Sequence, residues 1–407
     1  MSVYTVATGD TFDIISRKRY GVESNAGRIA SANPGVMEPL VVGTTVVIPD
    51  DATQVDVVQP TDAAGDVLVI IDGVRFRFWA GVRVTRSLDN MSTIELVAPS
   101  ESSRDDFRKT FTPFAFKTLA VILGGEPLFT GVIVGIDPMV DPSQKTISIS
   151  GYSQAAVLND CTAPGSAYPL EFNGQGLQEI ASTLASPFGL AVEFTADAGP
   201  IFDRVAIDPT ANILPFLADL AKQRNLVIAD TPRGGLLFQQ SVSAGNPVVT
   251  LQQGVSPLLS VEPTFNPQEY FSHITGIEPV GVGGDGAQYT VKNPLLSGVL
   301  RPMTFTVQDS EGGDLQTAVE AKMGRMFANM VSYSVRLTTW LDSAGAVWTP
   351  NTTVRLLAPD ALIYNYYEFI IRSVQLEHDG DIRVATLDIV LPGAFAGEIP
   401  EVLPWGV

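Results

Sequence analysis

A chain of 407 residues is too long for one hydrophobic core, because domains usually run about 100 to 200 residues, and two to four domains are expected. Forty-four acidic residues against 25 basic ones give a formal charge of −19, a field that opposes tight binding to nucleic-acid phosphates. One cysteine, Cys161, and two histidines, His273 and His378, exclude an internal disulfide and a cysteine-based zinc cluster, so neither a metal nor a cofactor is expected.

Hydrophobic residues make up 45% of the chain, enough for several cores, yet no apolar run approaches the roughly 20 residues that a membrane helix needs. The start, Met1-Ser2-Val3-Tyr4, has neither a basic n-region nor an apolar h-region. The expectation is a soluble protein folded in the cytoplasm.

Residues 1–50 read as strand, helix, helix, strand: Val3 to Val6, Thr11 to Tyr20, a helix around Asn25 to Ala32, and Thr45 to Ile48. Thr11 is placed to cap the first helix, whose apolar face carries Ile14 and Ile15. Asn33-Pro34-Gly35 ends the second helix, since proline cannot continue it and glycine accepts left-handed geometry. Residues 51–65, rich in Asp, Thr, Gln, Ala and Pro, read as a linker.

From residue 66 to 164 short β-branched and aromatic segments alternate with turn residues. Val67 to Ile71, Phe76 to Thr85, Thr93 to Ala98, Lys117 to Leu123, Phe129 to Ile136 and Thr146 to Ser150 predict six strands of a small antiparallel barrel or sandwich. Residues 165–255 predict a small α/β domain. Its helices are Gln175 to Leu184, stopped by Pro187 and Gly189, and Ile213 to Gln223, with Asn212 as cap and Pro215 in the first turn. Strands Ala191 to Phe194 and Leu226 to Ala229 follow them, and Arg233-Gly234-Gly235 forms a hairpin turn.

Residues 256–407 return to strands, with a helix Leu315 to Met330 capped by Asp314. Val331 to Leu341, Thr353 to Leu357, Phe369 to Gln375 and Arg383 to Val390 predict a second barrel-like set. Gly131 to Ser150 and Ile370 to Val390 each run strand, acidic turn, strand, which suggests a duplication without strict identity. The fold class is therefore α+β and mainly β.

The chemical motifs are weak. Gly281-Val282-Gly283-Gly284-Asp285-Gly286 satisfies G-x-G-x-x-G, but Pro279 precedes it and a strand-like segment, Gln288 to Val291, follows, so the strand-to-helix context of a dinucleotide site is missing and a surface loop is expected. No G-x-S-x-G elbow occurs. Asp105-Asp106 and Glu101 sit in a polar turn, where solvated charge is a better account than a glycosidase carboxylate pair. His273 falls in an alternating strand and His378 at a turn, and neither has co-ligands. Arg83, Arg86, Arg104, Arg108 and Lys109 form a mildly basic stretch that either faces acidic neighbours in an assembly or makes an ordinary charged rim. No catalytic residue emerges, and no enzyme activity is expected.

Tyr4-Thr5-Val6, Gly9-Asp10-Thr11, Asn33-Pro34-Gly35 and the closing Val-Gly-x-x-x-x-Ile-Pro fall in the order of a LysM module, which residues 3–49 resemble. That resemblance implies a βααβ fold with a shallow groove between two loops, here Gly9, Asp10, Thr11, Phe12 and Asn33, Pro34, Gly35, Val36, serving either glycan binding or protein docking. The remaining chain carries Trp79-Ala80-Gly81-Val82-Arg83-Val84-Thr85-Arg86-Ser87-Leu88, Gly151-Tyr152-Ser153, Leu158-Asn159-Asp160-Cys161-Thr162, Gln178-Glu179-Ile180-Ala181, Pro187-Phe188-Gly189-Leu190, Arg301-Pro302-Met303-Thr304, Gly345-Ala346-Val347-Trp348-Thr349-Pro350-Asn351 and Pro392-Gly393-Ala394-Phe395. In that order it resembles the baseplate hub proteins of contractile-tailed phages, the Mu-type tail protein family related to the T4 hub.

The resemblance implies a homotrimer with two related β-barrel, tube-like domains per subunit, six barrels in all, adapting the sixfold tail tube to the threefold central spike. Its implied partners are further copies of itself, the tail tube protein, the central spike protein, baseplate wedge or sheath-initiator proteins and the tape-measure protein. DNA would only pass through, in a lumen whose acidity suits weak binding, and peptidoglycan remains a further possible ligand of the LysM-like module. The implied place is the tail baseplate of a virion assembled in the host cytoplasm, although related hubs also serve type VI secretion and other contractile injection systems. The competing expectation is a tail-associated cell-wall hydrolase, or its targeting subunit, gripping peptidoglycan.

Overall fold

A computed structural model describes residues 2–20, 29–30, 32–33, 36, 39–48, 67–141, 145–243, 245–278, 286–306, 315–380 and 382–406. Strand accounts for 43% and helix for 20% of it, distributed over several sheets, so the protein is mainly β. The chain divides into two compact units, residues 1–79 with 98–148 and residues 80–97 with 149–407.

In the first unit, strand Ser2–Thr5 pairs antiparallel with Thr45–Ile48, Ser2 opposite Ile48 and Thr5 opposite Thr45. Helix Phe12–Tyr20 begins where Thr11 Oγ1 accepts the Ile14 N–H at 3.2 Å, the expected cap. Residues 29–30 and 32 are helical, and the rest of the second expected helix lies outside the described residues. Phe12, Ile15, Ile29, Val46 and Ile48 close a small core. The same unit holds an antiparallel series in the order Val74–Phe76, Val67–Ile71, Thr118–Leu123, Glu126–Val140. Two of its turns have two residues, both with positive φ: Asp72 at 54° and Gly73 at 78°, then Gly124 at 57° and Gly125 at 89°. Such turns match the right-handed twist of the strands they join.

The strand expected from Phe76 to Thr85 is two strands. Val74–Phe76 pairs with Val69–Ile71, whereas Gly81–Ser87 pairs with residues 93–97, Gly81 opposite Val97. Alternation continues across the break because both pieces are half-buried, and periodicity carries no record of which strand is the partner.

In the second unit an antiparallel series runs Leu258–Phe265, Val331–Leu337, Ile382–Val390, Ile363–Asp379, Gly81–Ser87, Thr93–Pro99. Ile363–Asp379 is longer than expected and serves two sets of neighbours. Residues 363–370 pair with Thr353–Ala358, and the remainder lies between Ile382–Val390 and Gly81–Ser87. It also extends over His378, which sits in the strand opposite Val82 and Arg383 and not at a turn. The pairing shifts between Ile371 and Ser373, a bulge that leaves Arg372 as the extra residue and re-aims it.

Helices Leu177–Ala185 and Ile213–Gln223 of the same unit pack around a core that includes Phe172, Ile180, Leu184, Phe202, Leu217 and Phe238. Strand Val192–Phe194 runs parallel to residues 236–238 of Leu236–Gln239, which in turn pairs antiparallel with Val227–Asp230 through the Gly234 turn. Asn212 occupies the N-cap position but does not cap; its Nδ2 donates instead to the Asn159 carbonyl at 2.6 Å. Further along, His273–Ile277 lies between Gln288–Lys292 and Pro302–Thr306, beside helix Leu315–Met330. The expected cap Asp314 and the loop glycines Gly281, Gly283 and Gly284 lie outside the described residues. No helix among the described residues is long and apolar enough to cross a membrane.

Candidate functional site

Of the eight residues expected to form a groove, Asp10 is almost fully buried at 6% exposure and is spent on the module itself. Its Oδ2 accepts the Ala7 N–H at 2.7 Å and the Tyr4 hydroxyl at 2.9 Å, and its Oδ1 accepts the Lys18 ammonium at 2.6 Å. The Lys18 hydrogen bond, followed by that of Ala7, holds the Asp10 carboxyl below the ordinary carboxylate value, and Asp10 in return raises Lys18. Gly9 sits at φ +86° at the exposed turn before it. Phe12 is core, and Thr11 is the helix cap.

Asn33 is also buried and works as a staple. Its Nδ2 donates to the Ile29 carbonyl at 2.7 Å and the Val47 carbonyl at 2.8 Å, while its Oδ1 accepts the Val47 N–H at 2.8 Å. Val36 is half-buried against the core, with its N–H on the Asn33 carbonyl at 2.9 Å. Pro34 and Gly35 lie outside the described residues. Gly9, Thr11 and Val36 are thus the described residues of the expected groove with surface left to offer. The exposed large apolar side chains among the described residues of the module are elsewhere, at Val3, Val41 and Val42.

Three members of the basic stretch form ion pairs within their own unit. Arg83 pairs with Glu95 and Glu377, both at 2.8 Å. Arg104 pairs with Glu101 at 2.6 Å and Asp106 at 2.5 Å, and Arg108 pairs with Asp105. Arg86 instead feels the charge of the buried Asp230, whose Oδ1 accepts the Ser92 N–H at 2.6 Å. Burial pushes the Asp230 carboxyl up, and the Ser92 bond and Arg86 oppose it; burial likewise lowers Arg86. Nothing in the local sequence joins position 86 to position 230, so this electrostatic coupling is not legible in the sequence.

His273 Nδ1 lies 3.0 Å from the Ser272 hydroxyl, and the His378 ring meets Trp340 edge-on at 6.2 Å. Among the described residues no three His, Cys, Asp or Glu side chains converge on a metal-sized site. Tyr152 donates to Asp160 Oδ2 at 2.8 Å, and its phenol is pushed up to about 12 by burial and then by that carboxylate. The Asp160 and Cys161 segment is joined to the following helix by the Ile213 N–H on the Cys161 carbonyl at 3.1 Å.

A different kind of surface occurs in the first unit. Phe114 is 89% exposed and Phe116 59% exposed, and both have left-handed backbones, at φ 61° and 47°. Left-handed geometry disfavours a bulky residue, at about 1–3 kcal/mol for each such position. Together with Pro113, Ile133 and Val134 they line a cavity of about 220 Å³.

The fold is shared with known tail proteins. The 43 kDa tail protein of prophage MuSo2 from Shewanella oneidensis is 26% identical, with 81% of this chain and 99% of that one covered at a TM-score of 0.69. A tail protein from Neisseria meningitidis MC58 matches at 18% identity over 82% of this chain and 99% of that one, TM-score 0.69. An Escherichia coli type VI secretion component, described as structurally similar to the T4 bacteriophage tail proteins gp27 and gp5, shares the fold at 11% identity over 83% and 78% of the two chains, TM-score 0.51. No curated protein matches. The proteins that this chain resembles in fold are therefore phage tail proteins and a type VI secretion component.

Residues 155–240 match the second domain of gp44-like baseplate hub proteins, and residues 1–56 match Phage Tail Protein X. The first of these spans coincides with the helical core built on Ile180, Leu184, Leu217 and Phe238. The role that these findings support is a structural one in a tail baseplate.

Proposed function

We propose that the chain is the hub of a contractile tail: a homotrimer whose two related barrel domains per subunit adapt a sixfold tube to a threefold spike and line part of the channel for DNA and the tape-measure protein. The match of residues 155–240 to a baseplate hub domain, inside a chain that a prophage tail protein parallels over 99% of its own length, carries this reading. A charge of −19 suits a lumen that DNA crosses without binding. The exposed, left-handed Phe114 and Phe116 support an assembly contact, because aromatic side chains are favoured anchors at protein interfaces. Tube, spike, wedge or sheath-initiator proteins are its partners, and closed cyclic symmetry leaves no open edge.

The N-terminal module, read as LysM-like, serves protein docking in this scheme. Asp10, Phe12 and Asn33 are occupied internally, while Val3, Val41 and Val42 offer apolar surface. Native mass measurement of the full chain should give three copies of 43.4 kDa, and an image of the tail should place them between tube and spike. A monomer under all conditions would refute the trimer. Sedimentation with purified cell-wall sacculi tests the module separately; saturable binding there would return it to glycan.

A further inference from the structure

Helix Leu315–Met330 is apolar on most of its inner surface, with Met323, Gly324, Met326, Phe327 and Ala328 all buried, yet Arg325 stands among them. Its guanidinium is partly buried and lines a cavity of about 280 Å³ in the second unit. Among the described residues its Nη2 is sealed from solvent with no hydrogen-bond partner, and no ion pair is formed by the side chain. Burial lowers Arg325 from its ordinary value, and the charges of Asp89 and Asp219 pull the other way without either one forming an ion pair with it.

Both of those carboxylates have other partners. Asp89 Oδ2 lies 3.0 Å from Arg372 Nη2, the side chain that the bulge re-aims, and Asp219 Oδ1 lies 2.9 Å from Lys222. An unsatisfied guanidinium donor therefore remains in a pocket lined by Met91, Leu226 and Phe395, by Asn90, Asn159 and Asn329, and by the charged Asp89, Lys222 and Arg372. A sealed guanidinium nitrogen without an acceptor is costly, and a carboxylate presents two oxygens that match its fork. A phosphate dianion would bring a second negative charge close to Asp89. The apolar floor favours a short hydrocarbon stem behind the charge.

We propose that this cavity binds a monocarboxylate on a short apolar stem, with Arg325 as its charge partner. Such a group comes either from a free aliphatic acid or from an acidic side chain of a protein segment. The site stands whether or not the hub reading does, since it rests only on residues of the second unit.

The test uses the full chain carrying ¹³C-methyl methionine, with Met91 as the reporter inside the cavity. Pentanoate should shift the Met91 methyl resonance saturably, while pentanamide should not. Arg325→Met should reduce the response at least tenfold, and Arg325→Lys should weaken it without abolishing it. Without ligand, Arg325→Met should melt no lower than the parent, because it removes a desolvated, unpaired charge.

A capped Ala-Glu-Ala peptide and its Gln counterpart form the second arm. Tighter binding of the Glu peptide than of pentanoate assigns the source to protein, and the reverse assigns it to a free acid; either supports the site. A Met91 methyl unmoved by both carboxylates, an equal shift in Arg325→Met, or equal binding of inorganic phosphate would overturn it. If Arg325→Met does not fold, the response of Arg325→Lys decides, and an unaltered one refutes the role of the guanidinium fork.

Discussion

Replacing Asn33 by alanine separates its structural work from any part in a groove. The side chain makes three hydrogen bonds, at 2.7, 2.8 and 2.8 Å, tying the Ile29 carbonyl to both backbone groups of Val47. Each such bond contributes a net of about 0.5–1.5 kcal/mol, and more where a buried partner is left unsatisfied, so a loss of about 2–4 kcal/mol is expected. A module of some fifty residues is stable by only about 2.5–7.5 kcal/mol. The substitution therefore removes roughly half of what holds the module folded.

Hydrogen exchange of the full chain, followed by mass spectrometry, resolves this regionally. Amides in residues 2–20 and 45–48 should lose about 30- to 1,000-fold protection, while those in Ile382–Val390 should not change. Asn33→Asp should do as much damage, because it keeps the acceptor for Val47 and places a carboxylate against two carbonyl oxygens. A loss of less than about threefold for alanine would refute the staple, being under 1 kcal/mol.

A Cβ at Gly324 would lie 2.8 Å from the Ala394 carbonyl oxygen and 2.8 Å from Gly397 Cα. Gly324→Ala should lower the melting temperature despite the better helix propensity of alanine, since overpacking costs about 1–3 kcal/mol; an unchanged melt would refute the close approach. For Asp10, whose carboxyl is lowered in the folded state, the contribution is complete above the unfolded value of about 4 and disappears as pH falls through the folded one. Lys18, raised in the folded state, contributes fully below about 10.4 and loses its share as pH climbs above that. Module protection should accordingly be greatest between these limits, and Asp10→Asn should flatten its acid limb; an unaltered limb would assign it elsewhere. Phe114→Ser with Phe116→Ser should leave the far-ultraviolet spectrum and melt near the parent values while reducing self-association or tube binding in sedimentation, and undiminished assembly would exclude this loop as an anchor.

Sequence pattern alone carried much of the secondary structure. The caps and stops around Thr11, Pro187, Gly189 and Gly234 are local, depending on side-chain oxygens and positive φ within a few residues, and each is found where its residues predict. So are helices Leu177–Ala185, Ile213–Gln223 and Leu315–Met330, whose apolar spacing exceeds two turns. Asn212 was misread because an Asx residue before a helix has two uses, and a carbonyl 53 positions earlier took its amide.

The functional surfaces were less legible, and for the same reason throughout. Asp10 and Asn33 look alike as groove residues or as buried staples until their partners Lys18, Ile29 and Val47 are placed around them. The strand break between Phe76 and Gly81 is invisible to a period of two, because both pieces are half-buried but pair with different strands. Arg325 carried one signal, a lone charge in the run Met323-Gly324-Arg325-Met326-Phe327, although only the fold reveals that Asp89 and Asp219 are already taken. What the sequence determined by itself is what acts over a few residues: turns, caps, helix faces and the acidic field. Partnership between residues such as 86 and 230, or 89 and 372, was decided by tertiary structure, because burial and charge compensation depend on neighbours that chain order does not record.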